Sequence, residues 1–456
     1  MNRQEFEYWS RRYGLLFLVA LSLVAFLLPL LLRLLHGGNT ITPGPESYSY
    51  LRHADAISIP GHDLLHNTPL APNPYVALLA IMQLFGVPWL LPVLLVLLLI
   101  VLLHQYLTGI IQSHTPIVLA LITLVVAPST SVLATHHTPT VLCLVFLLVA
   151  LIIFGKHPVA GCMLILAAII TEPVLGFFAA GVYAVSLFIS KQTNELVGVL
   201  LTAFAGVVWF IFWTGQLMVR GLLSPSFNPA LFFEIGAQAG ISIFLVLLAA
   251  YGMIVRPPKD QMLLLYAILL FVVTFFIPAL LPATVIVLSI FAANGIYHLM
   301  TTQWELELLR SALLILVTCI GVFLIITSIR ERIGEAPDSD FAHKMIVLRN
   351  QYHEGAVLTA PEYAPMVEYY SDRRAALDEN TPASVVHDAF LNRSSAAVYP
   401  LLTGTETSYV LITADMRHTM FKRSDDGILF LLQNTERFVI VEQSNESTLW
   451  YFISTT

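Results

Sequence analysis

Charge is what this sequence has least of. Only 11% of its 456 residues are Asp, Glu, Lys or Arg, 57% are hydrophobic, and mean hydropathy is +0.80. Ordinary soluble domains carry about 25% charged and about 45–50% apolar residues. The shortage excludes a single soluble domain, a nucleic-acid binder and a disordered chain. Cysteine is scarce as well. Cys143, Cys162 and Cys319 all lie in apolar runs, which excludes a disulfide framework or a metal-finger spacing and leaves them as small hydrophobes. There is no phosphate-cradling glycine loop, no Gly-x-Ser-x-Gly and no paired Cys-x-x-Cys, so the common nucleotide, hydrolase and redox motifs are missing. The first apolar run, Tyr13 to Leu35, has no small-residue cleavage site and is too long for a signal-peptide core. It is expected to remain as a transmembrane helix.

The charge that is present is unevenly placed. Residues 329–456 hold 11 Lys and Arg and 18 Asp and Glu, leaving 11 of each sign for residues 1–328. The whole net charge of −7 therefore sits on the tail. Runs of about 17–25 apolar residues suffice to span a bilayer. Eleven are predicted, at about 14–35, 88–107, 115–131, 139–155, 158–172, 174–190, 196–215, 236–255, 261–278, 281–300 and 309–328. Residues 73–87 read either as a twelfth helix or as an interfacial one. Arg3, Arg11 and Arg12 precede the first helix, and positive charge marks the cytoplasmic side. With eleven spans, Lys156, Lys191, Arg256 with Lys259, and Arg310 all fall inside, and the tail falls outside. No internal repeat or inverted pair of broken helices points to a secondary transporter.

The outer segments concentrate the chemistry, and ionisable groups beside a bilayer tend to be functional. The first outer loop contains Glu46, Tyr48, Tyr50, Arg52, His53 and Asp55, then His62, Asp63 and His66. Its carboxylates and imidazoles can supply hard or borderline metal ligands, and an ordinary solvated loop has the same composition. The second offers His136 and His137, where one imidazole could ligate a metal at a helix mouth or the pair could sit satisfied at the interface. Glu172, before Pro173, is either a functional carboxylate or a helix-end residue. Arg52 and Arg220 are outer-face cations with the planar donor fork that suits phosphate, or they snorkel to headgroups. In the tail, runs of β-branched and aromatic residues predict strands at Gly355–Thr359, Thr407–Thr413, Arg437–Gln443 and Thr448–Ser454. Helices are predicted at Phe341–Arg349 and Ala383–Leu391, a hairpin loop at Ser444–Ser447, and Asn-x-Ser sequons stand at Asn392 and Asn445.

Glu46, Tyr48, Tyr50 and Arg52 form an acidic residue, following aromatics and an arginine six positions on. In this the chain resembles the catalytic subunit of oligosaccharyltransferases, within the GT-C superfamily of lipid-linked-sugar transferases. The resemblance implies that Glu46 helps bind a divalent metal and the acceptor amide. The family's Trp-Trp-Asp-Tyr-Gly signature, which recognises the acceptor's Ser or Thr, falls on Ala360-Pro361-Glu362-Tyr363-Ala364. Arg373, Asp378, Asn380 and Thr381 then match residues common in the family, and Ser408–Ile412 resembles its next strand. Both tryptophans are absent, Glu362 replaces Asp, Ala364 replaces Gly, and the second-loop acidic motif aligns with His137 to Pro139.

The expected architecture is a polytopic all-α, GT-C-like membrane domain of about eleven helices over 1–328, with an outer loop at about 36–87. An extracytoplasmic α/β domain follows over 329–456. The expected function is transfer of a sugar or oligosaccharide from a polyprenyl-(pyro)phosphate donor to a protein, lipid or polymer acceptor on the outer face of the cell membrane. No nucleic acid is involved. Glu46 and Arg52 are the candidate catalytic residues, Arg52 and Arg220 the candidate phosphate ligands, and Glu362 with Tyr363 the candidate acceptor contacts. A Mn or Mg ion would sit on Glu46, His137 and Glu172. The alternative is a catalytically degenerate relative that serves as a scaffold or binding subunit.

Overall fold

Proline decides where the helices of this chain break. The computed structural model describes residues 3–37, 41–56, 62–63, 65, 68–69, 72–111, 113–214, 240–255, 261–302, 307–335, 337–350, 354–378, 381–423 and 425–453. The chain divides into two compact units: Met1–Leu32 with Pro69–Gly334, and Arg33–Thr68 with Glu335–Thr456. In chain order the first helices are α1 (Arg3–Gly37), α2 (Glu46–Ala56), α3 (Pro74–Leu84), α4 (Leu90–Ile110), α5 (His114–Val126), α6 (Pro128–Thr135) and α7 (Thr140–Ile153). Then come α8 (Pro158–Thr171), α9 (Pro173–Ile189), α10 (Thr193–Thr214), α11 (Ile243–Val255), α12 (Gln261–Thr274), α13 (Leu281–Thr301) and α14 (Glu307–Gly334). All but α2 and the last turn of α1, from Arg33 on, build the first unit.

A proline disfavours helical backbone at the residue before it and is tolerated in a helix's own first turn. Pro173 accordingly leaves Glu172 extended (φ −143°, ψ 97°) and opens α9. The break expected at Glu172-Pro173 is there. Pro128 does the same to Ala127 (φ −64°, ψ 129°), and α5 and α6 meet at a bend of 67°. The straight span expected over 115–131, with an outer loop after it, is corrected by this bend. Residues Pro128–Thr135 are helical and mostly buried. Among the described residues five helical stretches, in α1, α4, α10, α13 and α14, are long and apolar enough to cross a membrane. A sixth is added if the bent pair is one span. Shorter apolar helices of 10–17 residues account for α3, α7, α8, α9, α11 and part of α12. The chain is thus a multi-pass membrane protein, and the count of eleven full spans is not reproduced.

Polar anchors are few, so each one matters. The Glu7 carboxylate accepts hydrogen bonds from Ser113 Oγ (3.0 Å) and from the backbone N–H groups of His114 (2.7 Å) and Thr115 (3.2 Å). It satisfies, from α1, the first amides of α5 that no turn of that helix can pair. Where α11 crosses α13 the contact is backbone to backbone. A β-carbon on Gly252 would run into the carbonyl oxygen of Phe291, and one on Gly295 would press on Leu248. Apolar lipid gives helices no hydrophobic reason to associate, so such close approach carries the packing. Gly252→Leu is expected to cost at least about 1–3 kcal/mol, seen as an earlier midpoint in a detergent-denaturation titration. An unchanged midpoint would show that the crossing does not depend on this glycine.

In the second unit the further helices are α15 (Ser339–Arg349), α16 (Ala364–Ser371), α17 (Ala383–Leu391), α18 (Ser395–Gly404), α19 (Ala414–Thr419) and α20 (Ile428–Leu431). The strands are β1 (His62–Asp63), β2 (Thr68–Pro69), β3 (Ala356–Leu358), β4 (Thr407–Thr413), β5 (Phe438–Gln443) and β6 (Ser447–Phe452). The last four form one sheet in the order β3-β4-β6-β5, parallel between β3 and β4 and antiparallel elsewhere. These strands and the 444–447 turn fall where β-branched patterning placed them. A buried lysine fixes the hairpin. Lys344 Nζ lies 2.7 Å from Asp340 Oδ2, 2.5 Å from Ser444 Oγ and 2.8 Å from both the carbonyl and the hydroxyl oxygen of Ser447.

Burial works against the charged form of Asp340, but hydrogen bonds from Lys344, Ser444 and Ser447 outweigh it and hold the carboxyl below its usual range. A carboxylate depressed by folding stabilises above its ordinary value of about 3.9, and the stabilisation fades as pH falls through the folded value. Amide exchange in β5 and β6, corrected for its intrinsic rate, should therefore stay level down to about pH 5 and accelerate below about pH 4. Asp340→Asn should remove that acceleration, and an identical acid response in both proteins would refute the linkage.

Candidate active site

The two segments that carry the resemblance meet inside the second unit. Helix α2 starts at Glu46, after Gly44 with φ 78°. Its first turn is set by Ser47 Oγ donating to the Pro43 carbonyl (2.9 Å) and Tyr48 N–H donating to that of Pro45 (3.0 Å). Tyr48, Leu51 and Ala54 recur at helical spacing and are buried. They are the face that packs on α16. The ring of Tyr48 sits 5.3 Å from that of Tyr369 and 5.2 Å from that of Tyr370. Tyr370 donates to the Tyr48 hydroxyl (3.1 Å), which donates onward to the Thr42 carbonyl (2.8 Å). Burial and the neighbouring Tyr370 raise the Tyr48 phenol well above its normal range, which keeps it a neutral donor.

Arg52 lies on this face too. Its Nη1 is 2.9 Å from Glu368 Oε2, with the two side chains only 16% and 7% exposed. Glu368 Oε1 also accepts from the Ala375 amide (3.4 Å). Glu46 is different. Six helical residues turn through about 600°, so Glu46 and Arg52 project roughly 120° apart around α2. Glu46 is exposed, and its carboxylate has no hydrogen bond or ion pair among the described residues. Asp55, further along, is raised by burial, with Arg349 and Asp372 pulling in opposite directions.

The Ala360–Ala364 stretch forms a tight turn, Pro361–Tyr363, that runs straight into α16. Glu362 is exposed. Tyr363 is buried, stacks on Phe341 at 6.0 Å and donates to Asp415 Oδ2 (3.2 Å). The expected acceptor pair is thus split between an open carboxylate and a phenol committed to the domain. Downstream, the guanidinium of Arg373 lies over the ring of Tyr409 (5.1 Å) and donates to the Leu348 carbonyl (3.1 Å). Asp378 and Thr381 close a small turn on each other. Asn380, like Arg220 and His66, lies outside the described residues.

In the first unit a second polar group gathers at the helix breaks. His137 is fully buried, and its Nδ1 is hydrogen-bonded to the Tyr75 hydroxyl at 3.0 Å. His136 turns back onto its own helix, with Nδ1 3.2 Å from the Val132 carbonyl. Asn73 caps α3 through the Tyr75 amide (2.9 Å) and donates to the Thr171 carbonyl (3.1 Å). The Cys143 thiol points to the carbonyl of Glu172 (3.9 Å). Among the described residues no three His, Cys, Asp or Glu come together as a metal would require. Of the residues expected to hold a metal, Glu46 belongs to the second unit and His137 and Glu172 to the first, and one of the two His137 ring nitrogens is already taken by Tyr75.

Glu368, Tyr369, Tyr370 and Tyr75 were not singled out from sequence. An acidic residue inside Met366-Val367-Glu368-Tyr369-Tyr370, an otherwise apolar and aromatic run, is the signal that would have found Glu368. Tyr75 stands at the start of the short run that read as interfacial.

No protein-family model matches this sequence, and no curated protein matches it. Solved structures do. ArnT from Cupriavidus metallidurans, bound to undecaprenyl phosphate, superimposes with a TM-score of 0.60 at 14% identity, covering 97% of this chain and 99% of that one. The Archaeoglobus fulgidus oligosaccharyltransferase tethered to an acceptor peptide with an NVT sequon gives 0.60 at 12%, covering 90% and 70%. The same enzyme with Zn and sulfate gives 0.58 at 13%, covering 88% and 68%. At these identities the likeness is one of fold, and the GT-C resemblance carried by Glu46, Arg52 and the 360–364 turn holds at that level.

Proposed function

We propose that this chain is a membrane glycosyltransferase that moves a sugar from a polyprenyl-phosphate or -pyrophosphate carrier to an acceptor at the extracytoplasmic face. The observation that supports it most is the fold over nearly the whole chain, shared with ArnT bound to undecaprenyl phosphate and with an oligosaccharyltransferase bound to a dolichol-phosphate. The chemistry asks for two things. The carrier phosphate must leave as a stabilised anion, and a carboxylate must orient or deprotonate the acceptor nucleophile. Glu46 is the exposed carboxylate for the second task. For the first we assign Arg220. Arg52 acts as a positioning residue, since its guanidinium holds α2 to Glu368. Glu362 is the tail's contact to the acceptor. The altered 360–364 turn, which lacks both tryptophans of the sequon-reading signature, favours a lipid or polymer acceptor over a protein sequon. A divalent ion would be held by Glu46, with His137 and Glu172 as the further candidate ligands.

The test is transfer of labelled sugar from a panel of polyprenyl-phosphate and -pyrophosphate donors by the purified chain in nanodiscs, with and without chelator. Labelled product from the wild type, absent with Glu46→Gln, supports the reading and identifies the acceptor. Loss on chelation would support a divalent ion bound at Glu46. Folded protein that transfers from no donor overturns the reading. The second reading, a non-catalytic scaffold, then takes its place. It is favoured by the commitment of Arg52 to Glu368.

A further inference from the structure

The C-terminal sheet ends on β5, which pairs with β6 and has no second neighbour among the described strands. An edge strand carries a row of backbone donors and acceptors without ladder partners, and domains in water usually blunt it with charge, proline or shortness. Here the edge is six residues long and presents Val439 and Ile440, 46% and 52% exposed. The register slips between Ile440 and Glu442, so the regular part of the edge is Phe438 to Ile440. Beside it runs an open groove of about 630 Å³, within the size range of natural ligand clefts. Ile440 and its cross-strand partner Trp450 line it together with Leu429 and Leu432.

One cation belongs to this apolar lining, Arg417 from α19. Its Nη2 donates to Thr448 Oγ1 at 2.7 Å, which fixes the guanidinium at the wall of the groove. It is the one charge in an otherwise neutral lining, and a carboxylate is the partner that a guanidinium binds best. Edge, groove and guanidinium together describe one kind of ligand.

We propose that the groove and the β5 edge bind an extended peptide segment that carries a carboxylate close to an apolar side chain. Its main chain adds a strand beyond β5, its apolar side chain enters the groove beside Ile440 and Trp450, and its carboxylate accepts from Arg417. Main-chain pairing supplies affinity in such strand addition, and the pockets supply selectivity. The site is independent of glycosyl transfer, and a chain that transfers no sugar is still expected to bind the peptide.

The test uses full-length protein in zwitterionic nanodiscs, titrated by fluorescence anisotropy with a labelled heptapeptide alternating Val and Thr around one central Asp. Saturable binding is expected, weakened about tenfold or more by Arg417→Gln or by replacing the peptide's Asp with Lys. Ile440→Lys, at an exposed position that leaves folding intact, and N-methylation of the peptide's pairing amides should each weaken it comparably. The proposal is overturned if no saturable binding is seen up to millimolar peptide, or if binding ignores both protein substitutions. It is equally overturned if the edge instead forms dimers that Ile440→Lys disperses, or if the substitutions alter only attachment to anionic lipid.

Discussion

Glu46→Gln is expected to lower sugar transfer by about 10²–10⁴-fold, the range over which a positioned acid–base group contributes, while leaving the fold unchanged. The two halves of that statement rest on the same observation. The ionisable groups that seat α2 are structural: Arg52 is paired with Glu368, and Tyr48 is locked between Tyr370 and Thr42. Replacing any of them would blur a chemical effect with a local collapse. The Glu46 carboxylate is exposed, and Gln keeps its shape and the first turn of α2 while removing the charge. A loss of turnover with unchanged amide-exchange protection in α2 and α16 therefore reports on chemistry. Wild-type turnover in the Gln variant would remove Glu46 from the reaction and leave Glu362, an exposed carboxylate in the stretch that falls on the acceptor signature, as the next candidate.

What was legible in the sequence, and what was not, follows from the range of the forces involved. The Glu172-Pro173 break was readable because Pro173 acts on its own neighbour. The bend at Ala127-Pro128 obeys the same rule, but the apolar run continues through it and masks the boundary. β4 to β6 were readable because β-branched and aromatic residues alternate with polar turns over six or seven positions. Helix α16 was not. Its Val367, Tyr369 and Tyr370 suit a strand as well as a helix, and the helical choice is made by packing Tyr369 and Tyr370 on Tyr48, which is remote in the chain. The candidate site divides along the same line. Glu46 became a candidate from its place beside aromatics and an arginine. The partner of that arginine, Glu368, was not legible, because it is brought to Arg52 only by the fold. Local chemistry was visible, and the allocation of charges between distant segments was not.

Glu368→Ala should be the most damaging substitution for the second unit. Removing one member of a buried ion pair strands the other charge away from water and costs about 3–5 kcal/mol, whereas replacing both by apolar residues of similar volume is often neutral. With Glu368 7% exposed and Arg52 16% exposed, the pair meets that condition. The Tyr48–Tyr369–Tyr370 cluster one turn away packs the same two helices, so the loss should appear as the release of α2 from α16. Exchange protection over Glu46–Ala56 and Ala364–Ser371 is expected to fall by about two to three orders of magnitude in Glu368→Ala, with β4 and β6 little changed. Arg52→Met combined with Glu368→Leu should recover most of that protection. The double variant also separates the two roles open to Arg52. If α2 is seated again and transfer returns, the arginine only positions Glu46. If α2 is seated and transfer stays lost, the guanidinium meets the donor phosphate during the reaction, and its pair with Glu368 is the resting arrangement from which it is drawn.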